Sequence, residues 1–220
     1  MPNKIETIRD LYRLPTFFYL FSYGSNNVKL LSERLDFPTY DLKIFRKIIN
    51  YYTFDYVLEN YQRTFFGISD PKGNGGGGAV GTLKKVDGCY VEGICLPLTC
   101  HNGVFYLEKV EVNLYKLAKA EMMDPISSIN SKYILKRVGL NIYAFVKNDN
   151  YIRDTLKYHQ VSKKYIELIG KTIMDCRRKR EDNINKNIAE ILKSFQNSNN
   201  IEIQLVDDND GSYKVDGSPH

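Results

Sequence analysis

Apolar residues follow two rhythms along this chain of 220 residues, and the switch between them outlines the fold. Ile5, Ile8, Leu11 and Tyr12 recur at helical spacing in a mixed leader, residues 1–15. Residues 16–23 (TFFYLFSY) are an apolar and aromatic run, which predicts a buried strand. A polar turn ends it. In the following NNVKLLSERL, Asn26 or Asn27 stands as an N-cap ahead of Val28, Leu30, Leu31 and Leu35, which predicts a short helix.

From 43 to 69 the chain is rich in Ile, Tyr and Phe, with β character strongest in FDYVL and RTFFGI. DPKGNGGGG reads as a loop. AVGTLKKVDGCYVEGICLPL predicts two strands joined at Val86–Asp87–Gly88, since Asp-Gly between β-type runs signals a hairpin. VFYLEKVEVNLYKLAKAEMM fits either rhythm: Leu107, Val110, Leu114, Leu117 and Ala118 keep helical spacing, while KVEVNLYKL alternates. YILKRVGLNIYAFVKND predicts another hairpin, turning near Gly139. Residues 151–179 are helical by pattern, with Tyr165, Leu168, Ile169 and Ile173 on one stripe. Ile184, Ile188, Ile191, Leu192 and Phe195 make a second stripe, and the last twenty residues read as an edge hairpin or a frayed tail. Strands interrupted by one short helix and followed by helices predict an α+β fold rather than a doubly wound parallel sheet.

Composition narrows the class. Hydrophobic residues make up 43% of the chain, enough for a core, and 17 Tyr and 11 Phe against no Trp suit a β-rich interior. No apolar run reaches the roughly 18–20 residues of a membrane helix. MPNKIETIRD lacks the apolar region of a secretion signal. A cytoplasmic protein without a membrane partner is therefore expected. Cys89, Cys95, Cys100 and Cys176 form no C-x-x-C pair and read as reduced structural thiols. Cys100 and His101 are adjacent, but three His in the chain give little support to a metal site, and none is expected. A net charge of +5 without a clustered basic stripe does not indicate nucleic acid. CRRKR at 176–180 reads as a solvated helix end.

The turn YGSN carries the candidate chemistry. Gly24 lets the backbone turn closely, and the amides of residues 24–27 can point into one small space that suits an anion. A helix beginning just after them would add partial positive charge. An ordinary N-capped turn would read the same way. GNGGGG lacks the Gly-Lys-Ser/Thr ending of a P-loop, and Ser25 is not in a Gly-x-Ser-x-Gly elbow.

FFYLFSYGSN resembles the opening of the gamma-glutamyl cyclotransferase family, whose first strand runs into Tyr-Gly-Ser-Asn. GGAVGTL at 77–83, YVEGICLPL at 90–98, LEKVE at 107–111 and SKKYIELIG at 162–170 resemble further family pieces in the expected order. LEKVE is similar to Leu-Asp-x-x-Glu, whose last glutamate is catalytic in the family. A glycine usually follows that glutamate, where this chain has Val112.

The resemblance implies a gamma-glutamyl cyclotransferase-like mixed β-barrel with flanking helices over residues 1–180, and a helical C-terminal extension and tail over 181–220. It implies a cofactor-free enzyme acting on a small γ-glutamyl substrate, as a monomer or homodimer, in the setting of glutathione metabolism. The substrate's own α-amine attacks its γ-amide carbonyl, releasing 5-oxoproline and an amino acid or amine. Tethering nucleophile to electrophile supplies much of the rate, and one carboxylate can carry the protons. Glu111 is the candidate, with Glu108 as the alternative. Its apolar neighbours Val110, Val112 and Leu114 would raise its pKa. A surface carboxylate paired with Lys109 or Lys116 is the structural alternative. Leu20, Phe21, Ser22, Tyr23, Gly24, Ser25 and Asn26 would grip the γ-glutamyl end. Tyr165 matches a late family tyrosine that contacts substrate, and Tyr143 is a further candidate for the same cavity; both also suit core positions. A catalytically inactive family member serving as a binding module is the alternative function.

Overall fold

A computed structural model describes residues 2–36, 42–67, 78–151 and 160–176, together with the backbone of 204–206. Strand β1 (Lys4–Ile5) leads into a 3-10 turn at Ile8–Arg13 and then β2 (Phe17–Ser22). Helices α1 (Val28–Arg34) and α2 (Leu42–Tyr52) follow, then the long strands β3 (Phe54–Phe66) and β4 (Val80–His101). A small hairpin, β5 (Val104–Leu107) and β6 (Val110–Val112), precedes α3 (Leu114–Ala120). Strands β7 (Tyr133–Gly139) and β8 (Ile142–Lys147) form the expected hairpin. The chain then reaches β9 (Gln160–Ser162), α4 (Lys163–Cys176) and β10 (Gln204–Val206), which pairs parallel with β9.

The architecture is α+β. One eight-stranded sheet has the order β1-β7-β8-β2-β4-β5-β6, with β3 also paired to β4. Strand β2 lies inside it, parallel to β8 and antiparallel to β4. That position explains the run from Leu20 to Ser22, all buried, because a strand covered on both faces loses the alternation of a half-exposed one; Phe17 at the start of β2 is exposed. Phe18 and Leu20 join the large core cluster, whereas Phe21 and Tyr23 join a second one. Each fully buried aromatic or leucine of this kind contributes on the order of 1.5–3 kcal/mol.

Three expectations are corrected. Among the described residues no ladder joins β1 to β6, so the sheet does not close into a barrel. Asp87–Gly88 does not separate two strands. Residues 80–101 run as one strand against β3, and residues 86–89, between the Tyr61–Lys85 and Glu59–Tyr90 pairs, loop out opposite Asn60, where the register shifts. The left-handed φ of Gly88, +77°, and its N–H bond to Asn60 Oδ1 are what the dipeptide provides there. Finally, residues 42–52 form a helix where β character was expected: the amphipathic spacing of Phe45 and Ile49, both buried, outweighs the β-branched composition.

The chain 104–123 satisfies both rhythms in succession, a β-hairpin and then a helix. Most of the glycine-rich loop, residues 177–180 of the basic run, the apolar stripe at 184–195 and most of the 181–220 extension lie outside the described residues.

Candidate active site

At the C-terminal end of β2 the turn Tyr23–Asn27 borders a hollow of about 420 Å³, counted out to its open mouth. All eight residues expected to grip a ligand line it: the continuous stretch Leu20 to Asn26, and Tyr165 from α4. Gly81 of β4, Phe145 of β8, Tyr133 of β7, and Leu117 and Glu121 of the α3 region are among the rest of the wall.

The turn is held from outside by its carbonyls. Arg63 Nε donates to the Tyr23 carbonyl at 2.9 Å, Thr172 Oγ1 to that of Gly24 at 2.6 Å, and Ser22 Oγ to that of Asn26 at 2.6 Å. In a trans peptide the N–H points opposite to the C=O. Anchoring these carbonyls therefore directs the amides of Gly24 and Ser25 away from Arg63 and Thr172. Among the described residues no acceptor takes the amides of Gly24, Ser25 or Asn26.

Arg63 is buried, and burial lowers its guanidinium to about 10, so it stays charged at neutral pH. The positive charge expected from α1 is instead committed. Asn27 caps it by accepting from Leu30 N, and Val28 N donates to Asp175 Oδ2 at 2.8 Å. Gly24 is not in a left-handed conformation; its value is space. A Cβ there would stand 3.5 Å from Tyr165 Oη, inside the hollow.

Tyr165 is 5% exposed. Its hydroxyl oxygen accepts from Gly81 N at 2.8 Å, and no acceptor for its proton is present among the described residues. Burial pushes its pKa up to about 12, so it remains a neutral donor. The Gly81 carbonyl is fixed in turn by Tyr133 Oη at 2.8 Å. Tyr23, by contrast, spends its hydroxyl on the Phe145 carbonyl and contributes to the hollow as wall and backbone.

Glu111 does not line the hollow. It is exposed on β6, opposite Tyr106. The physical reason is the period of two: Val112 is buried, so Glu111 between it and Val110 points to the other face. Apolar neighbours in a strand therefore argue for exposure, not burial. Glu108, the alternative, is at the hairpin turn with φ +56° and is exposed as well. Tyr143 is fully buried outside the hollow, its hydroxyl donating to the Pro2 carbonyl.

The carboxylate in the wall is Glu121, which the sequence reading missed. Its side chain is 15% exposed. Oε1 accepts from Asn26 Nδ2 at 2.7 Å and from Arg34 Nη1 at 2.5 Å; among the described residues Oε2 has no partner. The backbone delivers it through a C-terminal cap. Glu121 follows the last residue of α3, Met122 adopts φ +57°, Met122 N donates to Lys119 O, and Met123 N donates to Ala118 O. This two-bond lock favours glycine in the left-handed position. A signal was present in the sequence: Leu117-x-x-x-Glu121 repeats the Leu-x-x-x-Glu spacing of Leu107–Glu111, ten residues later. The residue after Glu121 occupies the conformation that a glycine would take.

Comparison with known proteins adds little. No protein-family model matches the chain, and no curated protein does. Among solved structures, an uncharacterized Homo sapiens protein is similar at 14% identity and a TM-score of 0.41, over 81% of this chain and 88% of its own. A gamma-glutamyl cyclotransferase is similar at 15% identity and a TM-score of 0.39, over 81% of this chain and 99% of its own.

No group of three or more His, Cys, Asp or Glu residues is clustered as a metal site among the described residues, and no helix among them is long and apolar enough to cross a membrane. The buried thiols are not activated; burial raises Cys95 to about 12.

Proposed function

We propose that this protein is a cyclotransferase that releases 5-oxoproline from γ-glutamyl-amino acids or γ-glutamyl-amines, with Glu121 rather than Glu111 carrying the protons. The single observation behind the reading is convergence: the Glu121 carboxylate, the uncommitted amides of Gly24–Asn26 and the Tyr165 hydroxyl border one small hollow. The YGSN resemblance adds to it.

The chemistry asks for three things. A γ-glutamyl group carries an α-carboxylate and a γ-carbonyl, both of which accept hydrogen bonds from the turn's amides and the Tyr165 hydroxyl. Its ammonium must lose a proton before the nitrogen can attack, and Glu121 Oε2 is the open acceptor. As the tetrahedral centre collapses, the protonated carboxyl returns that proton to the departing nitrogen; it then takes the second proton from the ring nitrogen and passes it to the released amine, so the lactam is neutral and the carboxylate is regenerated. The bent conformer that brings amine to carbonyl is held by the walls, where orientation supplies a large part of the rate. Negative charge growing on the carbonyl oxygen is met by donors already fixed in place.

The test is incubation with γ-glutamyl-alanine and γ-glutamyl-lysine and detection of 5-oxoproline. Glu121→Gln should lower kcat by about 10²–10⁴, the usual contribution of a general acid–base group, while Glu111→Gln and Glu108→Gln leave it unchanged. Loss of turnover in Glu111→Gln with retention in Glu121→Gln would reverse the assignment.

One observation favours a binding module instead: Arg34 already neutralises Glu121. Under that reading the hollow binds a γ-glutamyl compound, detectable by calorimetry, without turning it over.

A further inference from the structure

Arg34 is the last residue of α1 and does not line the hollow, yet it governs the geometry of the carboxylate that does. Its Nη1 donates to Asn26 Oδ1 and to Glu121 Oε1, and Asn26 Nδ2 donates to the same carboxylate oxygen at 2.7 Å. The three side chains form a closed triangle across two helix ends and the YGSN turn. We propose that Arg34 is a positioning residue for the reaction, holding the Glu121 carboxylate through Oε1 so that Oε2 is presented to the substrate amine in one orientation. This rests on the cyclotransferase reading above.

The alternative is an ion pair that only stabilises the fold. Several features favour positioning. A partly buried ion pair is weak support for stability, because desolvation offsets much of the attraction. Here a second donor, Asn26, converges on the same oxygen, which a simple tether would not require. The pair also joins the two parts of the site that must stay in register: Asn26 belongs to the amide-bearing turn, and Glu121 to the cap of α3. The ends of the helices are already joined elsewhere, by Asn113 N donating to Leu35 O at 2.6 Å. Arg34 is thus not needed to dock α3 on α1; what it adds is the alignment of one carboxylate. A guanidinium is suited to this because its planar geometry fixes the direction of the two N–H bonds of Nη1, which serve both acceptors, whereas an ammonium is a single mobile point charge.

The test is steady-state kinetics on Arg34→Lys and Arg34→Gln of the full chain, with 5-oxoproline release as readout and thermal melts to confirm folding. Lysine keeps the charge and loses the fork; glutamine loses the charge. Misplacement of a catalytic group is expected to lower kcat by about tenfold in Arg34→Lys and about a hundredfold in Arg34→Gln, with KM within about threefold of wild type. In a Glu121→Gln background, Arg34→Gln should produce no further loss, since its effect runs through that carboxylate. Glu33→Gln, whose wild-type partner is Arg46, is the neighbouring control and should behave as wild type.

The proposal is overturned if Arg34→Gln is folded with an unchanged kcat. It is overturned equally if KM rises while kcat is kept, which would make Arg34 a substrate contact. If Arg34→Gln does not fold, Arg34→Lys decides in the same way. A wild-type protein silent on every γ-glutamyl compound sinks the cyclotransferase reading and this one with it. An active wild type with indifferent Arg34 variants sinks this one alone.

Discussion

Replacing Tyr165 by Phe removes one oxygen and leaves the ring in place, so its consequences can be worked out atom by atom. The lost oxygen accepts the Gly81 N–H at 2.8 Å inside a buried environment. No other acceptor for that amide is provided by the variant, and an orphaned buried donor costs about 1–3 kcal/mol. At roughly 2–4 °C per kcal/mol for a chain of this size, the melting temperature should fall by several degrees near neutral pH. A second signature follows from titration. The folded-state pKa of Tyr165, raised to about 12 by burial, exceeds the ordinary value of 10. The stabilisation from keeping this phenol neutral is therefore complete below pH 10 and is lost as the pH climbs from 10 through 12. The loss amounts to about 1.4 kcal/mol by pH 11. Denaturant melts of wild type and Tyr165→Phe at pH 8 and pH 11 should show the gap between them narrowing by about that amount. Equal stability at pH 8, or a gap that does not change with pH, would refute the burial and bonding assigned to this hydroxyl. On the cyclotransferase reading turnover should fall as well, since the hydroxyl proton left without an acceptor among the described residues is gone.

Three other substitutions probe the hollow and its supports. Gly24→Ala adds a methyl 3.5 Å from Tyr165 Oη, an ordinary contact. It should fold with a stability change below about 1 kcal/mol while raising KM or abolishing ligand binding, as measured by calorimetry. Gly93→Ala is the opposite case: its Cβ would meet the Phe21 ring and the Ser22 carbonyl at 2.4 Å. It should destabilise by about 1–3 kcal/mol in chemical denaturation, the cost of overpacking, and an unaffected midpoint would contradict the tight β2–β4 approach. Met122→Gly relieves a left-handed methionine at the cap of α3, φ +57° with the side chain 47% exposed. It should raise stability by up to about 1 kcal/mol, and a loss of more than that would show that Met122 makes a contact worth more than its strain.

Much of this fold was legible because the local rhythm and the tertiary environment agree. The run Phe17–Ser22 feeds both core clusters, with both faces covered from Leu20 onward, and the cap, read as Asn26 or Asn27, was visible as a side chain with a free acceptor just ahead of an amphipathic segment. The turn at Asn141, φ +55°, ends the hairpin near the position expected from Gly139. What failed has specific causes. Asp87–Gly88 has the chemistry of a hairpin turn, but Asn60 on the partner strand turns it into a local excursion; that pairing across some thirty residues leaves no local trace. Glu111 was chosen because LEKVE is similar to Leu-Asp-x-x-Glu; Leu117 to Glu121 keeps the leucine-to-glutamate spacing but has Ala118 in the acidic position. Telling which of the two borders the hollow required knowing which segment is strand and which is helix. In a strand a glutamate between core-facing valines points outward, whereas at a helix cap it can be turned back over the turn of β2.

The hollow itself has a consistent chemical logic. Several polar groups in its wall use one hydrogen-bonding capacity for support and keep another open. The peptides of Gly24 and Ser25 are fixed through the carbonyls of Tyr23 and Gly24 and leave their amides; Tyr165 accepts from Gly81 and keeps its proton; Glu121 is tied through Oε1 and keeps Oε2. Groups bound at one end lose their rotational freedom during folding rather than during ligand binding, which is what makes such donors effective at the moment charge develops. An arrangement serving stability alone would gain by satisfying both ends, since unfilled buried polar capacity is costly. The supports come from four separate segments of the chain: Arg63 on β3, Thr172 on α4, Gly81 on β4 and Arg34 on α1. No single element could keep these open ends directed into one space, and it is their common aim, more than any one residue, that a γ-glutamyl group would find complementary.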